Sequence, residues 1–270
     1  MTDCTLLEKL KSGIRLDNEL VIDCHGHMGP WYNFHIPGDG TAESMVANMD
    51  LVGIQVIVAS PHIAIGPDYR EGNRQAVEAA QQYPDRIVPY ITVNPRYPAV
   101  EIEAEISLYH DLLGGIKAFK FHSSCHGVDC AHPGYGPVYE YAQEHGLPIL
   151  SHVWDGPRRD GQSFLSRQAA AYPNIAFVHA HSGNSWNTIY SLVPETRVRR
   201  NVYLDLAGSA IPYGGLEYMV REAGADRILL GTDLPFIDVR PQIGRLLAAR
   251  ISEHDKRLIL GLNAQRLYKL

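Results

Sequence analysis

Residues 227–233 read RILLGTD: a short apolar run that closes on Gly-Thr-Asp. Seven runs of the same kind precede it: 19–25 (ELVIDCH), 54–60 (IQVIVAS), 87–93 (IVPYITV), 115–122 (GIKAFKFH), 147–152 (LPILSH), 175–181 (IAFVHAH) and 202–206 (VYLDL). Their starts lie roughly 30 residues apart, the length of a βαβ unit. Helical patterns fill the gaps, among them 41–51, 69–82, 99–112 and 137–145. The runs are continuously apolar rather than alternating, which suits parallel strands covered by helices on the outside. Eight such units predict an α/β fold closed into one (β/α)₈ TIM barrel over residues 1–270. No Gly-x-Gly-x-x-Gly follows the first strand, so a dinucleotide-binding open sheet has no support.

The bulk composition narrows the function. The chain has 270 residues, 45% hydrophobic and 20% charged, with a net charge of −6. An acidic chain without basic clusters is a poor nucleic-acid partner. No apolar stretch approaches the ~20 residues of a membrane span, and the first residues lack the apolar core of a signal peptide. A cytoplasmic protein is expected, acting on a small molecule and not on nucleic acid or a membrane. A chain of this length folds without a structural ion, so any bound metal is read as catalytic first. The four cysteines, Cys4, Cys24, Cys125 and Cys130, are expected as free thiols. Cys125, Cys130 and His132 have a spacing at the edge of that of a zinc loop, but no second cysteine pair completes one.

Ligand-type residues collect where the predicted strands end. The first strand ends in Asp23-Cys24-His25-Gly26-His27, the fourth in Lys120-Phe121-His122, and the fifth in Ser151-His152. The sixth ends in His179-Ala180-His181 and the eighth in Gly231-Thr232-Asp233. In a (β/α)₈ barrel these ends converge on one mouth, where active sites sit. Among 13 histidines a single His-x-His pair is weak evidence. On a strand, however, residues i and i+2 face one side, so His25 and His27 reach one ion together, and His152 and Asp233 complete a catalytic zinc-type set. Taken singly, a strand-end His is an ordinary wall residue and Asp233 an ordinary helix cap. Their joint placement at several strand ends argues for a site.

These segments resemble the amidohydrolase superfamily, and more narrowly the branch of aminocarboxymuconate semialdehyde decarboxylase and its related hydrolases, decarboxylases and lactonases. VIDCHGH, ILSHVWD, PNIAFVHAHSG, RILLGTDLPF and the terminal LILGLNAQRLYKL carry the resemblance. It implies that His25, His27, His152 and Asp233 hold one divalent metal ion, zinc first, with manganese, iron or cobalt as alternatives. It also implies that Asp233 is the general base and His181 the catalytic histidine, with His179 packed behind it. Lys120 is either carbamylated between two metals, as in other branches, or a partner for a substrate carboxylate, and His122 stands beside it. Trp154-Asp155 is similar to the segment that follows the fifth strand in decarboxylase members, and Arg158, with Arg159 and Arg70, is a candidate for binding a carboxylate. Residues 31–35 (WYNFH) form an aromatic loop placed to cover the pocket.

The expected activity is hydrolysis of an amide, lactone or ester-like bond by a metal-activated water. The alternative is non-oxidative decarboxylation of an unsaturated or aromatic acid, and a second alternative is a metal-free lactonase or ligand-binding barrel. A homodimer is in keeping with the resemblance.

Overall fold

A computed structural model describes residues 5–32, 35–152 and 162–270. The parallel strands are β1 (Ile22–Met28), β2 (Val56–Pro61), β3 (Ile87–Pro89), β4 (Ile91–Thr92), β5 (Phe119–Phe121), β6 (Pro148–Ser151), β7 (Ala176–His179), β8 (Val202–Asp205) and β9 (Ile228–Leu229). They pair in chain order, β1 with β2 and β3, then β4 through β9. β3 and β4 are two halves of the expected third strand. Pro89 has no N–H to give to a ladder, yet the strand continues. Tyr90 N donates to Ala59 O (2.9 Å) on one side and Ile91 N to Ala118 O (3.1 Å) on the other. The circle closes where Cys24 N donates to Leu230 O (2.9 Å) and His27 N to Leu234 O (2.7 Å). The result is the eight-stave (β/α)₈ barrel that the sequence implies.

Side chains alternate across this wall as the pleat requires. Ile22, Cys24, Val58, Tyr90, Ala118, Leu150, Val178, Tyr203 and Leu229 fill the interior in one cluster. Their neighbours Ile57, Ala59, Leu204 and Ile228 pack outward with Met45, Met49 and Leu246 of the helices. Phe119, Phe121, Ile149 and Phe177 do the same with Ile102, Tyr109 and Val138. Beneath the barrel runs the helix Asn263–Tyr268. Asn263 Nδ2 donates to Ala225 O and Ile228 O, each at 2.8 Å.

Most helix boundaries follow the sequence pattern, and the departures have local causes. Tyr69–Gln82 is as expected. The next helix outward from β1 starts at Ala42 rather than 41, because Thr41 Oγ1 caps it by accepting from Ser44 N. β1 is shifted three residues toward the mouth, and the other strands are shorter than their apolar runs, the last keeping ladder geometry only over Ile228–Leu229. Among the described residues no helix is long and apolar enough to cross a membrane.

Candidate active site

β1 reaches the mouth with one residue more than its neighbour. Asp23 pairs with Ile57 but Gly26 pairs with Ala59, so three steps on β1 match two on β2. This β-bulge changes the phase of the pleat. Ile22 and Cys24 point inward below it; above it, His25 and His27 both reach the site. Gly26 is left facing outward, where a Cβ would collide with the Ile57 side chain. The bulge is anchored by Asp23, whose carboxylate accepts from His25 N (3.0 Å), Thr232 N (3.0 Å) and the Thr232 hydroxyl.

Two other elements turn sharply into the same space. After β7, Val178 and Ala180 face inward, so plain alternation would send His179 and His181 outward together. His179 does face away from the axis, and both its ring nitrogens lack hydrogen-bond partners among the described residues. His181 adopts φ 58°, a left-handed conformation that costs a β-carbon-bearing residue on the order of 1 kcal/mol. That turn brings its ring centroid to 4.9 Å from that of His25. Asp233 is likewise left-handed at φ 64°, and its N–H donates to His25 O (2.9 Å). Asp39, Asp85 and Lys269 are also left-handed, but in the site it is the two residues expected to do chemistry that carry this strain.

Asp233 is the hub. Its Oδ1 lies 3.6 Å from His25 Nε2 and 3.5 Å from His27 Nε2. Ligand atoms of His25, His181 and Asp233 all lie within 4.8 Å of one another, and His181 Nε2 lies 3.2 Å from His152 Nδ1. The far sides of the first two imidazoles are committed. His25 Nδ1 faces the Asp205 carboxylate at 2.8 Å and His27 Nδ1 faces Ser60 O at 3.2 Å, so both Nδ1 atoms donate. Their Nε2 lone pairs then converge on a carboxylate oxygen, which is also an acceptor. Acceptors facing acceptors in a buried place call for a cation between them, and a carboxylate behind a ligating histidine is the usual support for such a ligand. The donor set thus fits a divalent metal ion. Lys120, fully buried, supplies one positive charge here, its Nζ donating to His25 Nε2 at 2.7 Å.

Burial sets the ionisation of the site, with neighbours deciding the rest. It pushes His25 and His152 well below the ordinary histidine range, and lowers His27 and His181 as well. In all four, burial favours the neutral imidazole, the form in which a histidine can ligate a metal. Burial alone would raise Asp233, but the surrounding His27, His181 and His25 hold its carboxyl well below the usual carboxylate range. Burial raises Asp205 to about 6 and lowers Lys120 to about 8, against the pull of Asp205 and Asp233.

The remaining expectations divide. His122 caps the helix Ser123–His126 and stacks on His152 with centroids 4.0 Å apart. Trp31 lies against His62 and Phe236 at the mouth. Arg70 does not face the site. It pairs with Glu101 on the surface and stacks on Tyr69 and Tyr97. Cys130 is packed in the outer core and His132 Nδ1 accepts from Gly134 N, so the 125–132 stretch is an ordinary loop. Trp154, Arg158 and Arg159, and Asn33 and Phe34 of the aromatic loop, lie outside the described residues.

Two residues were not anticipated. Asp205 ends β8 and orients His25; a lone Asp after VYL reads from sequence as a cap. Gly231 gives it room, since any side chain there would meet the carboxylate. His62 follows Pro61 just beyond the expected end of the second strand. It stacks on His27 (5.1 Å, 22°) and lies tilted against Phe236 (4.3 Å, 37°).

The amidohydrolase family pattern matches residues 22–270, nearly the whole chain. The chain belongs to the amidohydrolase family. As a member it is an enzyme of the metal-dependent hydrolase and decarboxylase class. No curated protein matches it. Solved structures similar to this amidohydrolase share its fold at low identity. A 5-carboxyvanillate decarboxylase from Novosphingobium aromaticivorans, complexed with manganese and 4-hydroxy-3-methoxy-5-nitrobenzoic acid, has a TM-score of 0.72 at 17% identity, covering 94% of this chain and 97% of that one. A dihydroxybenzoic acid decarboxylase from Polaromonas with manganese and 2-nitroresorcinol has a TM-score of 0.68 at 20%, covering 93% and 97%. A 2,6-dihydroxybenzoate decarboxylase from Rhizobium has a TM-score of 0.67 at 17%, covering 93% and 99%.

Proposed function

We propose that this amidohydrolase is a metal-dependent, non-oxidative decarboxylase of an aromatic or unsaturated carboxylic acid. That order reverses the sequence expectation, which put hydrolysis first. The observation that carries it is an ionised, imidazole-ringed Asp233 joined through His27 to an aromatic wall of Trp31, His62 and Phe236, of which Trp31 and His62 line a cavity of about 710 Å³. Solved relatives of the same fold that hold aromatic acids support the reading.

His25, His27, His152 and Asp233 would hold the metal ion, with His181 beside them. Once bound, the ion supplies positive charge that anchors the substrate carboxylate and draws electron density as the carbon–carbon bond weakens. Mixed nitrogen and oxygen donors accept manganese as well as zinc. The aromatic wall lays a flat ring against the site and keeps water from it. Asp233 carries the proton. A carboxyl group held so far toward its ionised form is, whenever protonated, a strong acid toward a ring carbon. The proton bonds to the carbon that bears the carboxylate, and CO₂ then leaves while its bonding pair restores the ring. His181 and His152, 3.2 Å apart, form a route by which Asp233 is reprotonated.

Hydrolysis remains the second reading, since the same ionised Asp233 is equally suited to take a proton from water. The test is a screen of the protein loaded with Mn²⁺ or Zn²⁺, and of the chelated protein. Benzoates and unsaturated acids are scored for CO₂, and lactones, esters and amides for hydrolysis. Metal-dependent CO₂ release is the expected result. Hydrolysis without CO₂ would restore the first expectation, and lactone hydrolysis that persists in full after chelation would move the assignment to a metal-free lactonase.

A further inference from the structure

His62 holds a hydrogen-bond acceptor that no described residue uses. Its Nδ1 lies 2.7 Å from Gly29 O, an oxygen that can only accept, so Nδ1 carries the proton. In the neutral ring the lone pair therefore sits on Nε2. That atom is buried and has no hydrogen-bond partner among the described residues. The side chain is 2% exposed and lines a cavity together with Met28, Trp31 and Ile63, while its ring stacks on His27 of the cluster.

The ring cannot turn to hide this nitrogen. It is clamped between His27, Trp31 and Phe236, with centroid separations of 5.1, 5.1 and 4.3 Å. A phenylalanine would fill the same slot without leaving a polar atom bare. A buried acceptor without a partner is costly, and in a binding cavity it is the mark of a group matched to a ligand. Because His62 stacks on His27, a donor reaching Nε2 belongs to a molecule already at the cluster.

We infer that His62 selects among substrates, accepting at Nε2 a hydrogen bond from a ring hydroxyl of the bound acid, one remote from the carboxylate that the metal cluster holds. The hydroxylated-acid class rests on the decarboxylase reading; the acceptor itself rests on the His62 geometry alone. Acids of the same outline without the donor leave Nε2 bare and bind more weakly.

The test uses the Mn²⁺-loaded protein and three probes, benzoate, 3-hydroxybenzoate and 4-hydroxybenzoate. The hydroxyls of the latter two lie too far from the carboxylate to share an ion with it. By titration calorimetry, one of the hydroxylated acids should bind at least about 10-fold tighter than benzoate, the scale of one hydrogen bond that replaces an unpaired buried acceptor. In His62→Phe the ratio of hydroxylated-acid affinity to benzoate affinity should fall to about 1, in a protein whose circular dichroism is unchanged. His62→Leu repeats the test if the first variant misfolds. An advantage that survives in both variants overturns the inference, as does the absence of any advantage in the unaltered protein, including failure of all three acids to bind. Release of CO₂ is scored separately. Selective binding without CO₂ from any acid would remove the proposed reaction and leave the role of His62 standing.

Discussion

Beneath the barrel, Tyr268 of the last helix donates to Tyr90 Oη at 2.6 Å, and Tyr90 Oη donates to Cys24 O at 2.7 Å. From the next residue of β1 onward, the mouth holds His25, His27, His181 and Asp233. Both ends bury polar groups, and in both burial shifts ionisation strongly, upward for the two tyrosines and downward for the imidazoles. They differ in how donors and acceptors are matched. The tyrosine chain runs donor to acceptor until it ends on a carbonyl, and it is complete. At the mouth the Nδ1 donors of His25 and His27 point away, to Asp205 and Ser60, and their Nε2 acceptors point toward the Asp233 carboxylate, with Lys120 Nζ the donor among them. Polar burial alone therefore does not locate chemistry in this molecule. The direction of the lone pairs does.

That contrast can be broken most severely at its hub. Asp233→Asn should lower kcat by about 10²–10⁴-fold, the usual worth of a positioned acid–base group, in a protein whose circular dichroism is unchanged. Activity near that of the unaltered chain would remove Asp233 from the chemistry. Next in size is the pair on the turn after β7. His181→Ala should cost at least about 10²-fold in kcat/KM, whereas His179→Ala, facing away from the axis, should change kcat/KM by only a few-fold. Equal losses would mean that the left-handed turn does not separate their roles.

A smaller effect is expected one layer behind the ligands. Asp205→Asn should weaken metal affinity by about 10–100-fold, the scale for a carboxylate that orients a ligating histidine, as measured by competition with a chelator. Unchanged affinity would make Asp205 a packing residue. The least effect belongs to the completed chain below. Tyr268→Phe should cost about 1 kcal/mol of stability by denaturant titration and leave metal affinity where it was. A change in metal affinity there would show that the two ends are coupled.

The architecture was legible because it rests on repetition. Eight apolar runs at even spacing leave few alternatives, and even the interrupted third strand reads as one run, Pro89 included. The ligand types were legible because His and Asp at strand ends are conspicuous. Geometry was less so. ELVIDCHGH has the same letters whether or not β1 bulges, and only the pairing with Ile57 and Ala59 reveals the extra residue. The left-handed turns at His181 and Asp233 leave no trace, because neither position carries the glycine that advertises such a conformation. Asp205 and His62 were not singled out, since what defines each is a partner far away in the chain, His25 for one and Phe236 for the other.

The bulge in β1 also bears on how such a site could be transplanted. An inert barrel strand of regular pleat offers its mouth every second residue, so grafting His25 and His27 by substitution alone would leave one buried layer out of step with the other. A protein engineer would have to insert a residue, with a glycine following it on the outer face to clear the neighbouring strand's isoleucine. The smallest portable unit of this active site is thus a change in strand length, with the histidines coming second.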